Sequence, residues 1–419
     1  MIGAVFMIIG TVIGAGIYIL IGSLAVEVGP GLFISYFIAL VVAVSSSLCF
    51  AQIATIYPVT AGTYKYAKMF FSDYTGFIIG WLRLITGFYG LTLMATGFTE
   101  YVNTPFGINN KIIGIGLLFI FFIINWFGIQ TTERVQRVLV SIVTLGLIIF
   151  TTLGIFKIDI NNLLNPFKAG TTSLIRGSMT AFFAYSGMYF VAEIGDEIKN
   201  PHKNIPLSII IASIIIGALY ITTSLVFSGG LGWDFIKANQ PNLVGASSVF
   251  FNPYLTNLIK ISAIIAVVMP INSIFAGASR LAYSLSDDGY LPGFFSKLNK
   301  SQVPGITLVI MFIMSSLLLL LDMTILYIGT LTSIVTLISM ALIAIAALKI
   351  KLNNPEKISE AQMELPASIL YLIVFITIIS ALVLSIVSMF EDPMIFYALL
   401  VWVFIGSMYY FITGYIKNK

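Results

Sequence analysis

The stretch IGTVIGAGIYIL, residues 9–20, is apolar enough to enter a bilayer, yet it carries Gly10, Gly14 and Gly16. Each glycine inside a helix costs about 1 kcal/mol relative to alanine. Backbone that leaves a helix at membrane depth must be buried in protein or line a cavity, because unpaired N–H and C=O groups in lipid cost several kcal/mol each. The stretch therefore predicts a membrane helix that is interrupted in its middle.

The composition places this interrupted helix in a polytopic membrane protein. Hydrophobic residues make up 59% of the chain and charged residues 9%, whereas soluble domains have about 45–50% and about 25%. Continuously apolar runs favour helices over the alternating strands of a barrel. We predict about twelve spans, at residues 2–24, 31–56, 75–99, 111–129, 135–156, 174–196, 206–228, 254–285, 304–321, 325–349, 367–389 and 394–416.

The distribution of positive charge predicts the orientation of these spans. With the N-terminus inside, fourteen of the 21 Lys and Arg residues fall on the cytoplasmic side and six on the other, with Arg83 inside the third span. The positive-inside rule then predicts that both termini are cytoplasmic. We expect the membrane to be the plasma membrane. The net charge of +4 reflects topology, so we expect no nucleic-acid partner. The first span is not preceded by a basic region, so we predict no cleavable signal peptide.

The scarcity of nucleophiles and metal ligands argues against an enzyme. Cys49 is the single cysteine and His202 the single histidine. A Ser-His-Asp or Cys-His site would have to be built on one loop histidine, and a His/Cys metal site lacks a ligand set. We predict no catalytic residues, no metal and no cofactor.

A second interruption is expected five spans after the first, because secondary transporters place discontinuous helices in corresponding positions of two inverted repeats. The sixth span, AFFAYSGMYFVAEIGDEIKNP (residues 181–201), supplies Ser186 and Gly187 at its centre. The pair predicts five-plus-five repeats at residues 1–156 and 174–350, followed by two helices and a short tail at 366–419. Close helix packing is the alternative explanation for the Gly10–Gly14 spacing.

Several segments resemble the amino acid–polyamine–organocation superfamily of secondary transporters, in order and at the family's spacing. They cover helices one to three, six and eight: IGTVIGAGIYIL (9–20), VGPGLFISYFIAL (28–40), YPVTAGTYKYAKMFFSDYTGFIIGW (57–81), FFAYSGMYFVAEIGDEIKNPHKNIPLSI (182–209) and NSIFAGASRLAYSLSDDGYLPGFF (272–295). The ending GAGIYIL (14–20) and the stretch LCFAQIATIYP (48–58) look closest to the amino acid permease branch that includes the cationic amino acid transporters. The resemblance implies a leucine-transporter-type core with helices 1 and 6 broken. Pro270 and Arg83 depart from the family pattern.

The resemblance further implies a zwitterionic amino acid held at mid-membrane. N–H groups after the first break would donate hydrogen bonds to the α-carboxylate, because a half-helix begins there with its positive end. Carbonyls freed at both breaks would accept the α-ammonium, and small residues leave room for the ligand. We therefore predict this set of substrate-binding residues: Val12, Ile13, Gly14, Ala15, Gly16, Ile17, Ala184, Tyr185, Ser186 and Gly187. The family position of Tyr185 also makes it a candidate gate.

The placement of carboxylates favours a neutral substrate. A cationic side chain at mid-membrane needs a buried carboxylate. Only Glu100 and Glu193 lie within predicted spans away from loop runs, and both are near span ends. The alternatives are an exchanger of cationic amino acids or polyamines, and a non-transporting amino acid sensor.

Energy coupling stays open between protons, sodium ions and exchange. In sodium-coupled relatives of this fold, the ion lies between carbonyls of the first break and hydroxyls of helix eight. The hydroxyl residues in the corresponding helices five and eight are the candidate ion-coupling residues: Ser141, Thr144, Ser273 and Ser279. The expected partners are thus an amino acid, the lipid bilayer, and H⁺ or Na⁺.

Overall fold

The computed structural model describes residues 1–59, 61–102, 109–129, 133–193, 195, 198–353 and 365–417. These residues form helices and connecting turns without a strand. The helices of the first half are α1 (Ile2–Val12), α2 (Ala15–Tyr18), α3 (Leu20–Val28), α4 (Leu32–Ala54), α5 (Gly62–Phe70), α6 (Asp73–Tyr101), α7 (Asn110–Trp126) and α8 (Glu133–Gly154). Those of the second half are α9 (Thr171–Tyr185), α10 (Phe190–Glu193), α11 (Pro201–Leu231), α12 (Trp233–Asn239), α13 (Leu243–Phe250), α14 (Pro253–Asp287), α15 (Gly305–Leu320), α16 (Ile325–Asn353), α17 (Ala367–Glu391) and α18 (Pro393–Lys417).

Within the described ranges, eight helical stretches are long and apolar enough to cross a membrane. The helices α1, α7 and α15 are apolar but have 11, 17 and 16 residues. The sequence-based prediction of an all-helical polytopic membrane protein is therefore confirmed at this level. A lipid-facing helix is expected to be apolar on its outer surface, and α18, of which 17% of the apolar window is buried, has that character.

The first predicted span is interrupted at the glycines. The helix α1 ends at Val12, Ile13 is extended, and α2 begins at Ala15. The helix α3 then continues to Val28, past the expected end at residue 24, and a 3₁₀ turn over Gly29–Gly31 leads into α4. This turn needs glycine, because Gly29 has φ of 67° and a Cβ there would lie 2.8 Å from the Trp233 ring.

The sixth predicted span is interrupted as well. The helix α9 ends at Tyr185, residues 186–189 form turns, and α10 resumes for one turn at Phe190. The predicted span of 174–196 started too late, because α9 begins at Thr171. Residues 194 and 196 lie outside the described ranges.

The interrupted helices lie inside a scaffold of long helices. The helix α4 packs against α9 and α11, and α6 packs against α14 and α16. The short helix α5 connects one end of α4 to α6, while α12 packs against α3 at the opposite end. We refer to these two sides of the bundle as the α5 end and the α12 end.

Candidate functional site

A cavity of about 450 Å³ connects the two interruptions to the α5 end of the bundle. Its wall is built by α1, α2, α5, α6, α8, α9, α10, α14 and α16, together with the turn between α9 and α10. Arg280, near the last turns of α14, lines the cavity and is exposed. The cavity thus extends from the centre of the bundle to the surface at one end.

The predicted substrate-binding residues divide into two groups around this cavity. Five of them are on its wall: Val12, Gly14, Gly16, Ser186 and Gly187. Ile13, Ile17, Ala184 and Tyr185 are buried outside the wall, and Ala15 begins α2. The tertiary structure therefore brings the two interruptions together and gives only part of each a surface toward the cavity.

The two interruptions touch each other directly. A Cβ on Gly16 would lie 2.2 Å from Ala184 Cα, and one on Gly187 would lie 2.8 Å from the Thr11 carbonyl oxygen. Real non-bonded carbon atoms approach to about 3.5–4.0 Å. Glycine is thus required at residue 16 by backbone packing as well as by any need for ligand space. Thr11, which the sequence analysis did not single out, lies between the breaks: its hydroxyl donates within α1, where the Met7 carbonyl is 2.9 Å away, and its oxygen lies 3.4 Å from the Gly187 carbonyl oxygen.

Buried tyrosines satisfy carbonyls of the first interruption. Tyr220 donates its hydroxyl to the Val12 carbonyl at 2.7 Å, and Tyr36 donates to Gly16 at 3.1 Å. A third hydroxyl, from Tyr101, bonds the Tyr18 carbonyl. These bonds answer how an apolar segment tolerates its break: hydroxyls from other helices replace the missing helical N–H partners. The Val12 carbonyl, expected to face an α-ammonium, already accepts one bond and retains its second lone pair.

Tyr185, the predicted gate, belongs to the same buried cluster. Its ring lies 5.1 Å from Tyr220 and 6.4 Å from Tyr36, between centroids. Its side chain is fully buried, and its hydroxyl has no hydrogen-bond partner among the described residues. Instead, the aromatic side chains of Phe183 and Tyr189 reach the cavity wall.

A charged cluster lines the cavity near α5. Arg83 of α6 donates to the Tyr189 hydroxyl at 2.5 Å and to Glu193 Oε1 at 3.3 Å. The Glu193 carboxylate also accepts the Thr63 N–H at 3.0 Å and its hydroxyl at 2.7 Å. The charged side chains are each 17% exposed. Sequence reasoning noticed Arg83 and Glu193 separately, but no local signal joins residues 110 positions apart.

The part of the α14 wall around Pro270 is uncharged and polar. Asn272 and Ser273 of α14 line it, and Asn125 at the end of α7 donates to the Asn272 amide oxygen at 2.8 Å. Pro270 has no N–H, so the Ala266 carbonyl in the preceding turn lacks its helical donor. That carbonyl oxygen lies 3.1 Å from the position of a Cβ on Gly14. Pro270 thereby leaves a carbonyl acceptor of α14 beside the first interruption.

The candidate ion-coupling residues do not converge on one place. Ser273 lines the cavity, whereas Ser279 is buried and donates to the Ala276 carbonyl. Ser141 is exposed and donates to the Arg137 carbonyl, and the buried Thr144 hydroxyl has no partner within the described ranges.

The face of α8 that packs against α1 is formed by residues other than Ser141 and Thr144. A Cβ on Gly10 would lie 2.6 Å from Val140 Cγ2 and 3.7 Å from Gln136 Nε2. Gln136 also lines the cavity. Among the described residues no group of three or more His, Cys, Asp or Glu could hold a metal ion.

Ion pairs join helices at both ends of the bundle. At the α12 end, Arg176 of α9 pairs with Glu27 of α3 at 3.1 Å and with Glu391 of α17 at 3.6 Å. At the α5 end, Lys68 donates to Asp288 at 3.0 Å and the Tyr64 hydroxyl bonds the same carboxylate. These contacts connect α3, α9 and the end of α14 to neighbouring helices.

The environment of Asp288 shifts its titration. Partial burial raises the pKa, but the hydrogen bonds from Tyr64 and Lys68 and the Lys68 charge outweigh burial. The pKa of Asp288 therefore lies below its ordinary value. The carboxylate is ionised at neutral pH and holds α5 to the end of α14.

Comparisons with known proteins identify the family of the chain. The family of amino acid permeases matches residues 1–415. The chain is 27% identical over 319 residues to a methylthioribose transporter of Bacillus subtilis, covering 70% of this chain and 68% of that protein. It is 28% identical over 379 residues to the vacuolar cationic amino acid transporter 4 of Arabidopsis thaliana, covering 83% of this chain and 62% of the relative. It is also 24% identical over 378 residues to the branched-chain amino acid permease BcaP of Bacillus subtilis, covering 83% and 79%.

The match spans nearly the whole chain and includes both interruptions, the α6 wall and the α14 wall of the cavity. Its members are transporters and not enzymes. This chain belongs to the amino acid permease family.

Proposed function

We propose that this protein is a secondary active transporter that moves a neutral amino acid across a membrane by alternating access. The observation that carries the proposal is one cavity that reaches both helix interruptions. Secondary transporters hold substrates near the membrane centre between discontinuous helices of this kind. The volume of about 450 Å³ falls within the range of about 300–1,000 Å³ typical of small-molecule sites.

The substrate backbone would bind at the first interruption. The N–H groups of Ala15, Gly16 and Ile17 would donate hydrogen bonds to the α-carboxylate, because the helix that begins there would direct its positive end toward the cavity. Remaining acceptor capacity on the Val12 carbonyl, together with carbonyls near Ala184, would take the α-ammonium. The side chain of the substrate would then extend toward Phe183, Ser186, Gly187 and α6.

Charge on the cavity wall supports a neutral side chain. Glu193 is the one acidic residue on the wall within the described part of the chain, and it is already paired with Arg83 and Thr63. A cationic substrate would need an uncompensated carboxylate. The names of the relatives include both cationic and branched-chain amino acid transporters, so an exchanger of cationic amino acids or polyamines is the alternative that transport assays must exclude.

The helix contacts support five-plus-five inverted repeats at residues 1–156 and 174–350, with 366–419 outside the core. Several contacts between the two halves have a counterpart five spans later. The pair α1–α11 matches α9–α4, and the pair α8–α14 matches α16–α6. The pair α7–α14 similarly matches α15–α6. Such a pattern is expected when two halves exchange places under a pseudo-twofold axis, which would give the leucine-transporter-type layout of twelve spans.

Alternating access would expose the two ends in turn. We expect the present conformation to be open toward the cytoplasm at the α5 end, with both termini cytoplasmic in the plasma membrane. The tyrosine cluster of Tyr36, Tyr185 and Tyr220 and the Arg176–Glu27 pair would close the α12 end. Tyr185 would serve as a gate by moving with the end of α9.

The coupling ion would bind, if one is used, where acceptors meet between α14 and the first interruption. The Ala266 carbonyl near Gly14 supports this location, and Ser273 on the same helix supplies a hydroxyl. Ser279, Ser141 and Thr144 would contribute only after rearrangement. Protons, sodium ions and exchange are therefore separate outcomes of the experiment that follows.

The test is uptake of radiolabelled leucine, alanine, phenylalanine and lysine into proteoliposomes, with an imposed proton or sodium gradient and with an empty or preloaded lumen. Accumulation of a neutral amino acid under one gradient would establish coupled transport, and uptake into preloaded vesicles alone would establish exchange. Preferred uptake of lysine would contradict the neutral substrate. Binding of an amino acid without uptake in any condition would contradict transport and favour a sensor.

A further inference from the structure

One face of α6 forms a stripe along the cavity wall. Its residues recur at helical spacing, so they share a single face: Arg83, Thr86, Gly87, Gly90 and Met94. Four of them are small or apolar, and Arg83 is the only charged one. The guanidinium therefore lies on a cavity wall whose other charged residues, within the described part of the chain, are Glu193 and Arg280.

Among the described residues, Glu193 takes part in more hydrogen bonds than Arg83 does. Glu193 accepts two hydrogen bonds from Thr63, at the first turn of α5, in addition to the contact with Arg83. Arg83 has five N–H donors, and its contacts to described residues are one bond to Tyr189 and one of 3.3 Å to Glu193. The carboxylate thus keeps strong partners without Arg83, whereas the guanidinium loses the one anionic partner it has among the described residues without Glu193.

We propose that Arg83 is the specificity-determining residue that excludes cationic side chains from this cavity, which it does by neutralising Glu193 and by repelling a second positive charge. This inference rests on the proposed transport of neutral amino acids and assigns its charge discrimination to one residue. Rejecting a competitor through like-charge repulsion is a common route to specificity. Since both side chains are 17% exposed, solvent screens them only in part.

Replacing Arg83 should leave the Glu193 carboxylate on the cavity wall without its guanidinium partner. In Arg83→Gln, Glu193 retains its bonds from Thr63, and a lysine or arginine substrate gains a partner for its side chain. The expected change is a decrease of about tenfold or more in the lysine concentration that half-inhibits leucine uptake, equivalent to about 1.4 kcal/mol. Arg83→Lys keeps the charge and should keep the exclusion.

Replacing Glu193 should shift the preference in the opposite direction. Glu193→Gln removes the one anionic partner that Arg83 has within the described ranges, so inhibition by glutamate and aspartate should strengthen by about tenfold while lysine stays a poor inhibitor. This variant is independent of whether Arg83→Gln folds. The double variant Arg83→Gln with Glu193→Gln should lose both gains, because neither charge remains.

A matched control removes a lysine from an ion pair outside the cavity. Lys111 pairs with the exposed Asp322 at 2.5 Å, so Lys111→Gln should leave the inhibition pattern unchanged. Size-exclusion profiles and thermal unfolding in detergent verify that each variant is folded. Leucine uptake by the wild-type protein is measured in the same preparation.

The outcomes distinguish a wrong role for Arg83 from a wrong proposed function. If the wild-type protein transports leucine and both single variants show the wild-type inhibition pattern, the role of Arg83 is wrong while the proposed function stands. If the wild-type protein transports no neutral amino acid, the proposed function fails first. Opposite shifts in the two single variants, lost in the double variant, are the result that this assignment requires.

Discussion

The contact between Gly16 and Ala184 yields a prediction with a defined magnitude. In Gly16→Ala, the new Cβ would lie 2.2 Å from Ala184 Cα and 2.4 Å from its Cβ. Relaxed contacts need about 3.5–4.0 Å, so the two interruptions must separate by more than 1 Å. Overpacking of this kind costs about 1–3 kcal/mol. Because the substrate would bind at these same interruptions, we expect uptake to fall by at least about tenfold and thermal stability to decrease.

The assay combines leucine uptake in proteoliposomes with thermal unfolding of the purified protein. Gly116→Ala is the matched control, since a Cβ on Gly116 meets no atom within 4 Å. The double variant Gly16→Ala with Ala184→Gly removes the Cβ–Cβ contact but leaves the contact with Ala184 Cα, so it should recover only part of the loss. Wild-type uptake and stability in Gly16→Ala, or full recovery in the double variant, would refute the backbone contact as the reason for glycine.

Three further predictions concern hydroxyls and pH. Tyr220→Phe deletes the donor to the Val12 carbonyl and should cost about 0.6–1.7 kcal/mol, measured by thermal unfolding. Tyr185→Phe removes a hydroxyl without a described partner, so its stability should stay within about 0.5 kcal/mol; a larger loss would reveal a hidden partner. The lowered pKa of Asp288 means that its contacts stabilise the protein above the unfolded value of about 3.9 and are lost as pH falls through the folded value. Asp288→Asn should therefore flatten the acidic limb of a stability–pH curve, and an unchanged limb would exclude this contact as its source.

Local sequence was sufficient for the interruptions because their cause is local. Glycine lowers helix stability wherever it occurs, and clusters at residues 14–16 and 186–187 marked both breaks before any tertiary contact was known. Span boundaries were less exact. The helix α9 starts at Thr171 and α3 continues to Val28, because turn positions depend on partners such as Trp233 packed on Gly29.

The cavity wall was only partly predictable for a related reason. The residues around the breaks were found, but Thr11, Arg83, Glu193 and Thr63 were not assembled into it. A side chain such as Arg83 looks isolated inside an apolar span, and its partner is chosen by how α6 packs beside α10. Periodicity indicates which face of a helix is apolar, but it contains no information on which distant residue faces it.

The sequence by itself determined the class of the protein, its approximate spans and the two weak points in its helices, since composition and helix propensity act over a few neighbouring residues. Tertiary structure alone decided that the weak points touch, that Tyr36 and Tyr220 satisfy the freed carbonyls, and that Arg83 neutralises Glu193. The physical reason is that buried hydrogen bonds and ion pairs form between groups distant in the chain. Their partners exist only after the long helices have packed.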